Sequence, residues 1–322
     1  MTKLIYCTRE IPAVGLNLLK DKGYIVDVGD FKKPPTKKDL ITALKKKNYD
    51  ALISFLTDDI DKTILRACPN VKIIANYAVG YNNIDVEGAK KKNIIVTNTA
   101  GTSSLAVAEH TISLMFSLAT RIVEGDMFMR KGKFKGWDPS LFMGTDIFGE
   151  TIGIIGTGGI GSKVVHILKK GFNCDIIYND VNRNDALEKD CDAKYMSLDD
   201  VLKNADIVSL HVPLLPSTKH LINAEKLSLM KRTSLLINTA RGAVIDEKAL
   251  VYALENKIIS GAGIDVFEFE PKLTKGLKNL ENIIMTPHIA SSKASARTEM
   301  AILVAKNIIS VFEEGKGITE IK

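Results

Sequence analysis

Short β-rich runs alternate with helix-length amphipathic segments along this chain, and that alternation favours parallel sheets layered by helices. Before residue 100 the strand candidates are Lys3–Cys7, Tyr24–Val28, Ala51–Phe55, Lys72–Ala75 and Ile94–Thr97. Among the helices between them, Thr36–Lys47 opens with Thr36 and Asp39 at capping-box spacing behind Pro34 and Pro35. A second series follows: Thr151–Ile155, Asp175–Asn179, Asp206–His211, Ser234–Asn238, Ala262–Val266 and Asn282–Met285. Six such strands complete a doubly wound sheet. A long apolar-periodic helix, Ser103 to Lys131, is expected to join the two series, and a final helix over 294–313 is expected to return to the first.

With 322 residues the chain is long enough for two cores. The 45% hydrophobic and 25% charged content is that of an ordinary globular protein, and no run reaches the ~20 apolar residues needed to span a bilayer. The first residues, MTKLIYCTRE, lead straight into a strand and lack a signal-peptide core, so a cytoplasmic protein is expected. Cys7, Cys68, Cys174 and Cys191 are scattered and form no CxxC pair, which argues against a metal site or a disulfide framework. The net charge of +6 is spread over many lysines with no basic stripe or interleaved aromatics, so no nucleic-acid partner is expected.

The motif with the clearest mechanical meaning is GTGGIG at 156–161, which follows a strand and opens a helix expected over Ser162–Lys170. Gly156, Gly158 and Gly161 match GxGxxG: one makes the tight turn, one admits a pyrophosphate and one lets helix lie on strand. The helix N-terminus, with Gly159 and Ile160 in the turn, offers N–H groups and a positive dipole end to phosphate. The next strand ends in Asp180, about 20 residues beyond the glycines, where an acid can hold the ribose 2′-hydroxyl. Its charge favours NAD over NADP, although Arg183 lies close by. LHVPLLPST (210–218) is expected on the adenine side, with His211, Pro213 and Thr218 as candidate contacts.

Three residues suited to carbonyl reduction fall just beyond three successive strands. Arg241 follows SLLINTA, Glu270 follows GAGIDVFEF, and His288 follows NIIMTP. In an open parallel sheet the carboxyl ends of the strands line the ligand crevice. Reduction of a carbonyl leaves negative charge on oxygen, and a histidine, with an ordinary pKa near ~6.5, can supply the proton. A carboxylate against the other ring nitrogen fixes the tautomer and favours the imidazolium. An arginine can grip a substrate carboxylate in a planar fork.

YAVGYNNID (77–85), GTGGIG, NTARGAVID (238–246), DVFEFEP (265–271) and TPHIAS (286–291) together resemble the D-isomer-specific 2-hydroxyacid dehydrogenase family over essentially the whole chain. The resemblance implies a Rossmann cofactor domain (101–288) inserted into a flavodoxin-like substrate-binding domain (1–100 and 289–322), with the active site in the cleft. It implies that Arg241 binds substrate, Glu270 orients the histidine and His288 is the general acid/base. Asp265 would hold the nicotinamide carboxamide, with Thr239 and Ala240 as further NAD contacts. Val79 and Gly80 would bind the substrate carboxylate, joined by Leu56. Two features depart from the family pattern. An extra residue before Asp180 leaves Asn179 as an alternative ribose partner, and Ala290 stands where glycine is frequent.

Within the family the chain is most similar to glyoxylate/hydroxypyruvate reductases, through NYAVGYNNID and GWDPSLFMGTDIFGETIGIIG (136–156). There a tryptophan like Trp137 enters the partner subunit's pocket, and a homodimer built around the inserted domain is implied. The alternatives are D-3-phosphoglycerate dehydrogenase, a D-lactate-type enzyme and a corepressor-like NAD sensor. The loop ISFLTDD (53–59) carries no cation to meet a phosphate, and residues 289–322 leave no room for a regulatory domain, so a small unphosphorylated 2-oxo acid is expected. His110, His166 and His220 are read as structural.

Overall fold

The computed structural model describes residues 2–321, which divide into two compact units, 2–103 with 292–321 and Ser104–Ser291. The first unit is a parallel sheet of β1 (Leu4–Cys7), β2 (Ile25–Val28), β3 (Ala51–Ser54), β4 (Ile73–Asn76) and β5 (Ile95–Thr97), in the order β2-β1-β3-β4-β5. Its helices are α1 (Ala13–Asp21), α2 (Lys37–Leu44), α3 (Lys62–Ala67) and α4 (Val86–Lys90). Strand residues alternate between two cores. Ile5, Cys7 and Ile53 pack with Leu19 of α1 and with Met300, Val304 and Ile308 of the returning C-terminal helix; Tyr6, Leu52 and Ile74 pack with Leu40 and Leu44 of α2 and Ile64 of α3. The expected capping box at Thr36 and Asp39 is formed.

The second unit begins with α5 (Ser104–Ala119) and α6 (Ile122–Arg130). The single helix expected over 103–131 is therefore two. Arg121 takes a left-handed φ of 55°, the Thr145 N–H caps the Ala119 carbonyl, and Arg121 pairs with Glu124 and lies over the Phe142 ring. The returning segment 142–145 thus ends α5, a contact that helical periodicity does not encode.

The unit continues with β6 (Thr151–Ile155), α7 (Gly159–Phe172), β7 (Asp175–Asn179), α8 (Asp185–Cys191), β8 (Lys194–Tyr195), α9 (Leu198–Asn204) and β9 (Ile207–Leu210). It closes with α10 (Ala224–Leu229), β10 (Leu235–Asn238), α11 (Glu247–Glu255), β11 (Gly261–Ile264) and β12 (Ile283–Met285), before the chain returns through α12 (Ala294–Glu314). The seven strands are parallel in the order β12-β11-β10-β9-β6-β7-β8. All six expected strands are present. The two-residue edge strand β8 is additional and too short to show a period. Strands β9, β10 and β11 are buried throughout, as befits a sheet covered on both faces. Among the described residues no helix is long and apolar enough to cross a membrane.

Candidate active site

Because every strand of the second unit runs the same way, the segments leaving β6, β7, β9, β10, β11 and β12 share one edge of the sheet. The glycine loop leaves β6 there. Gly156 has φ 93°, and a Cβ on it would press into the His211 carbonyl at 2.8 Å. A Cβ on Gly161 would collide with the Gly156 carbonyl, so helix and strand touch as the motif requires. At Gly158 a Cβ would meet nothing, and this N-cap residue of α7 makes no side-chain cap. The helix begins at Gly159, earlier than the expected Ser162, which brings Gly159 and Ile160 into its first turn. Open backbone at a 14-residue helix's N-terminus fits a pyrophosphate group.

At the end of β7 the Asp180 carboxylate accepts the Thr157 N–H at 2.6 Å and its hydroxyl at 2.9 Å, which ties it to the glycine loop. Asn179 is engaged elsewhere, donating to the Met196 carbonyl at 2.8 Å. Arg183 is paired with Glu188 at 2.7 Å and lies over the Tyr195 ring. After β9, His211 approaches Ser209 Oγ at 2.9 Å, and burial pushes its pKa down to about 4, which keeps the ring neutral. The Thr218 hydroxyl donates to the Pro213 carbonyl at 2.6 Å and closes that loop into a turn.

After β10, Thr239 is buried against Thr111 Oγ1 at 2.7 Å, and the Ala240 N–H donates to Asn238 Oδ1. Arg241 follows, with Nη1 donating to the Ala240 carbonyl and its own carbonyl accepting from Asn238 Nδ2. Burial lowers the Arg241 pKa against the favourable charge of Glu270, yet an arginine stays protonated. Gly242 leaves no room for a side chain, since a Cβ would strike the Phe267 backbone. The turn carrying Arg241 therefore lies directly on the loop that carries Glu270.

His288 Nδ1 lies 2.9 Å from Glu270 Oε2, while Glu270 Oε1 accepts the Phe267 N–H at 2.9 Å. Burial pushes the Glu270 carboxyl upward. The hydrogen bond and charge of His288, the Phe267 N–H and the charge of Arg241 outweigh it and hold the pKa below the ordinary value.

Two buried carboxylates support this pair, the second of them outside the sequence motifs. The first is Asp265, fully buried after β11. Its carbonyl accepts the His288 N–H, and its carboxylate accepts the N–H groups of Ile289 and Ala290 at 2.9 and 2.8 Å. Thr286 Oγ1 donates to the same carboxylate at 2.6 Å, and the His110 ring reaches Thr286 at 3.0 Å and Asp265 at 3.6 Å. Burial opposes the charge, but these donors keep the Asp265 pKa low. The expected nicotinamide residue thus holds the turn on which His288 adopts a left-handed φ of 54°. His110, expected to be structural, belongs to this network.

The second support is Glu247, 1% exposed in the first turn of α11. Its carboxylate accepts the Glu268 N–H at 2.6 Å and the Thr274 hydroxyl at 2.5 Å, holding both ends of the segment that contains Glu270. Glu268 in turn meets His220 Nε2 at 2.7 Å. Neither Glu247 nor His220 stands out in a sequence, because the loop they brace lies about 20 to 50 residues away in the chain.

In the first unit, Leu56 follows β3. The carbonyls of Val79 and Gly80, beyond β4, accept from Asn98 Nδ2 at 2.7 Å and Asn76 Nδ2 at 2.8 Å. The 53–59 loop itself carries no cation, as expected, but one is brought to it from elsewhere in the chain. Arg9, from the end of β1, donates to Thr57 Oγ1 at 2.8 Å and stacks over Phe55, whereas Asp58 is turned into the core. Trp137 is 85% exposed.

Residues 112–290 match the family described as D-isomer specific 2-hydroxyacid dehydrogenase, NAD binding domain. The chain is 44% identical to a glyoxylate reductase of Pyrococcus horikoshii over 98% of its length and 94% of the relative's. It superposes on the crystal structure of a glyoxylate reductase from Paecilomyes thermophila with a TM-score of 0.88 at 30% identity, covering 99% of this chain and 98% of that one. It also resembles an NADPH-dependent glyoxylate/hydroxypyruvate reductase of Sinorhizobium meliloti, solved with NADP and malonate, with a TM-score of 0.86 at 27% identity over 100% of this chain and 97% of that one. The glycine loop, the parallel-sheet rim and the similarity over the whole chain lead to one conclusion: this protein belongs to the D-isomer-specific 2-hydroxyacid dehydrogenase family and is an NAD-linked oxidoreductase of 2-oxo acids.

Proposed function

We propose that this chain reduces glyoxylate and hydroxypyruvate with NADH. The observation that carries the reading is the His288–Glu270 hydrogen bond on the same sheet rim as Arg241 and the glycine loop. The reductases named above narrow the choice of oxo acid. Ser104–Ser291 acts as the cofactor domain and the other unit as the substrate domain.

Arg241 holds the substrate carboxylate through its planar fork. Reduced nicotinamide, when bound, supplies the hydride. As negative charge develops on the carbonyl oxygen, the proton on His288 Nε2 passes to it. Glu270, accepting from Nδ1, stays ionised, fixes that orientation and stabilises the imidazolium before transfer. Leu56, Val79 and Gly80 contact the substrate. Asp180 takes the ribose hydroxyls and disfavours a 2′-phosphate, and the pairing of Arg183 with Glu188 supports NAD over NADP.

A homodimer is supported by the apolar surface of α6 and the segment after it, where Ile122, Met129, Trp137, Met143 and Phe148 are all exposed. Trp137 serves the partner's pocket in that arrangement. The four free cysteines support a cytoplasmic enzyme.

The test is NADH oxidation by purified protein with glyoxylate, hydroxypyruvate, pyruvate, 2-oxoisocaproate and 3-phosphohydroxypyruvate, repeated with NADPH. Fastest turnover of the first two with NADH is expected. Preference for the phosphorylated acid would make the chain a phosphoglycerate dehydrogenase, and tight NADH binding without turnover would make it a sensor.

A further inference from the structure

The strand order of the first unit contains a reversal next to β1 and β3. In the order β2-β1-β3-β4-β5 the chain leaves β1 toward one edge and, after β2, crosses to β3 on the other side. Open α/β sheets take ligands outside the carboxyl ends of their strands at such a reversal. Arg9 stands just beyond β1, and Phe55, Leu56 and Thr57 stand just beyond β3.

The Arg9 side chain is held ready. Its guanidinium centre lies 4.5 Å from the Phe55 ring centroid, and Nη2 donates to Thr57 Oγ1 in an exposed position, while Nε is buried and has no hydrogen-bond partner. Asp58 beside it faces inward, accepting from Thr8 Oγ1 at 2.5 Å and the Phe55 N–H at 2.8 Å. The same rim reaches the other expected substrate contacts. Asn83 Nδ2 donates to the Phe55 and Asp58 carbonyls, Asn76 Nδ2 donates to the Gly80 carbonyl, and the two amides meet at 3.4 Å. Hydrogen bonds therefore link the Arg9 loop, the Leu56 loop and the Val79–Gly80 loop.

We propose that Arg9 is a specificity-determining residue, whose guanidinium donates to an oxygen on C3 of the substrate and so favours 3-hydroxy-2-oxo acids over the two-carbon oxo acid. The inference rests on the reading of Leu56, Val79 and Gly80 as substrate contacts. A neutral hydroxyl suits the site better than a phosphate, because a single guanidinium already donating to Thr57 leaves most of a phosphate's double charge unpaired. Glyoxylate, with no C3, cannot use the contact.

The experiment compares kcat/KM for hydroxypyruvate and glyoxylate in wild type, Arg9→Met and Arg9→Lys. Methionine keeps an unbranched stem over Phe55 without the donors, and lysine keeps the charge without the fork. A hydrogen bond to a charged donor corresponds to roughly a tenfold or greater effect. Arg9→Met should therefore lose at least ~10-fold more on hydroxypyruvate than on glyoxylate, with Arg9→Lys in between. Equal losses on both acids, or no loss on either, would overturn the proposal, as would a wild-type preference for 3-phosphohydroxypyruvate that Arg9→Met abolishes. Wild-type protein inert toward both acids would sink the substrate reading, and this inference with it. That failure is told apart from failure at Arg9 by the wild-type control.

Discussion

At the scale of single residues, the proton donor and its partner give the sharpest expectations. His288→Ala removes the only side chain placed to protonate the oxygen in the proposed mechanism. It should lower kcat by ~10²–10⁴-fold and leave the NADH dissociation constant, read by fluorescence titration, nearly unchanged. Equal losses in both would contradict the role. The Glu270 carboxyl is held low by His288 and Arg241 despite its burial. A depressed folded pKa means that the stabilisation is complete above the unfolded carboxylate value of about 4.3 and is lost as pH falls through the lower folded value. Protonation of Glu270 should thus limit activity only on the acid side of pH ~4.3. Glu270→Gln should cut kcat by ~10-fold or more at neutral pH and remove that limb from the pH–rate profile; an unchanged profile would show that the carboxylate does no electrostatic work. Arg241, Glu270 and His288 could be found in the sequence because each follows its strand within a few residues. Arg9 could not, since its place beside Thr57 depends on β1 and β3 becoming neighbours.

At the scale of elements, the catalytic turn and the glutamate loop are each fastened by one buried carboxylate. Asp265 gathers backbone N–H groups from the His288 turn, and Glu247 clamps residues 268 and 274 around Glu270. Glutamine at 247 can accept at only one of those two ends and must donate to the Thr274 hydroxyl at the other, which exchanges a charge-assisted hydrogen bond for a neutral one at a cost of about 1 kcal/mol. Glu247→Gln should therefore lower kcat while sparing KM for NADH. In a double-mutant cycle with Glu270→Gln its effect on kcat should largely vanish, because the segment it braces no longer carries the acting carboxylate. Full additivity would make Glu247 a residue of general stability alone. Strands were legible because buried parallel strands read as apolar runs bounded by turns, as in LLIN and GAGI. The break between α5 and α6 was not, because both halves are good helix and the stop comes from Gly144 and Thr145 folding back on Ala119.

At the scale of the whole molecule, α6 buries none of its residues within this chain, and the segment beyond it carries Phe134, Trp137 and Phe148 in the open. Sedimentation or light scattering should give twice the 35.3 kDa chain mass at micromolar concentration. Charged substitutions at Met129 and Phe148 should shift the protein toward monomer. A wild-type monomer at those concentrations would remove Trp137 from any partner's site. The division of the chain also has a consequence for its synthesis. The first unit is closed by α12, whose Met300, Val304 and Ile308 cover the sheet face formed by Ile5 and Ile53, yet α12 is separated from β5 by the whole of Ser104–Ser291. At ~5–20 residues per second a ribosome needs on the order of ten seconds or more to make that insert. Throughout that interval the half-built sheet has only α1 over that face, so the newborn chain should expose apolar surface that chaperones can bind until α12 emerges.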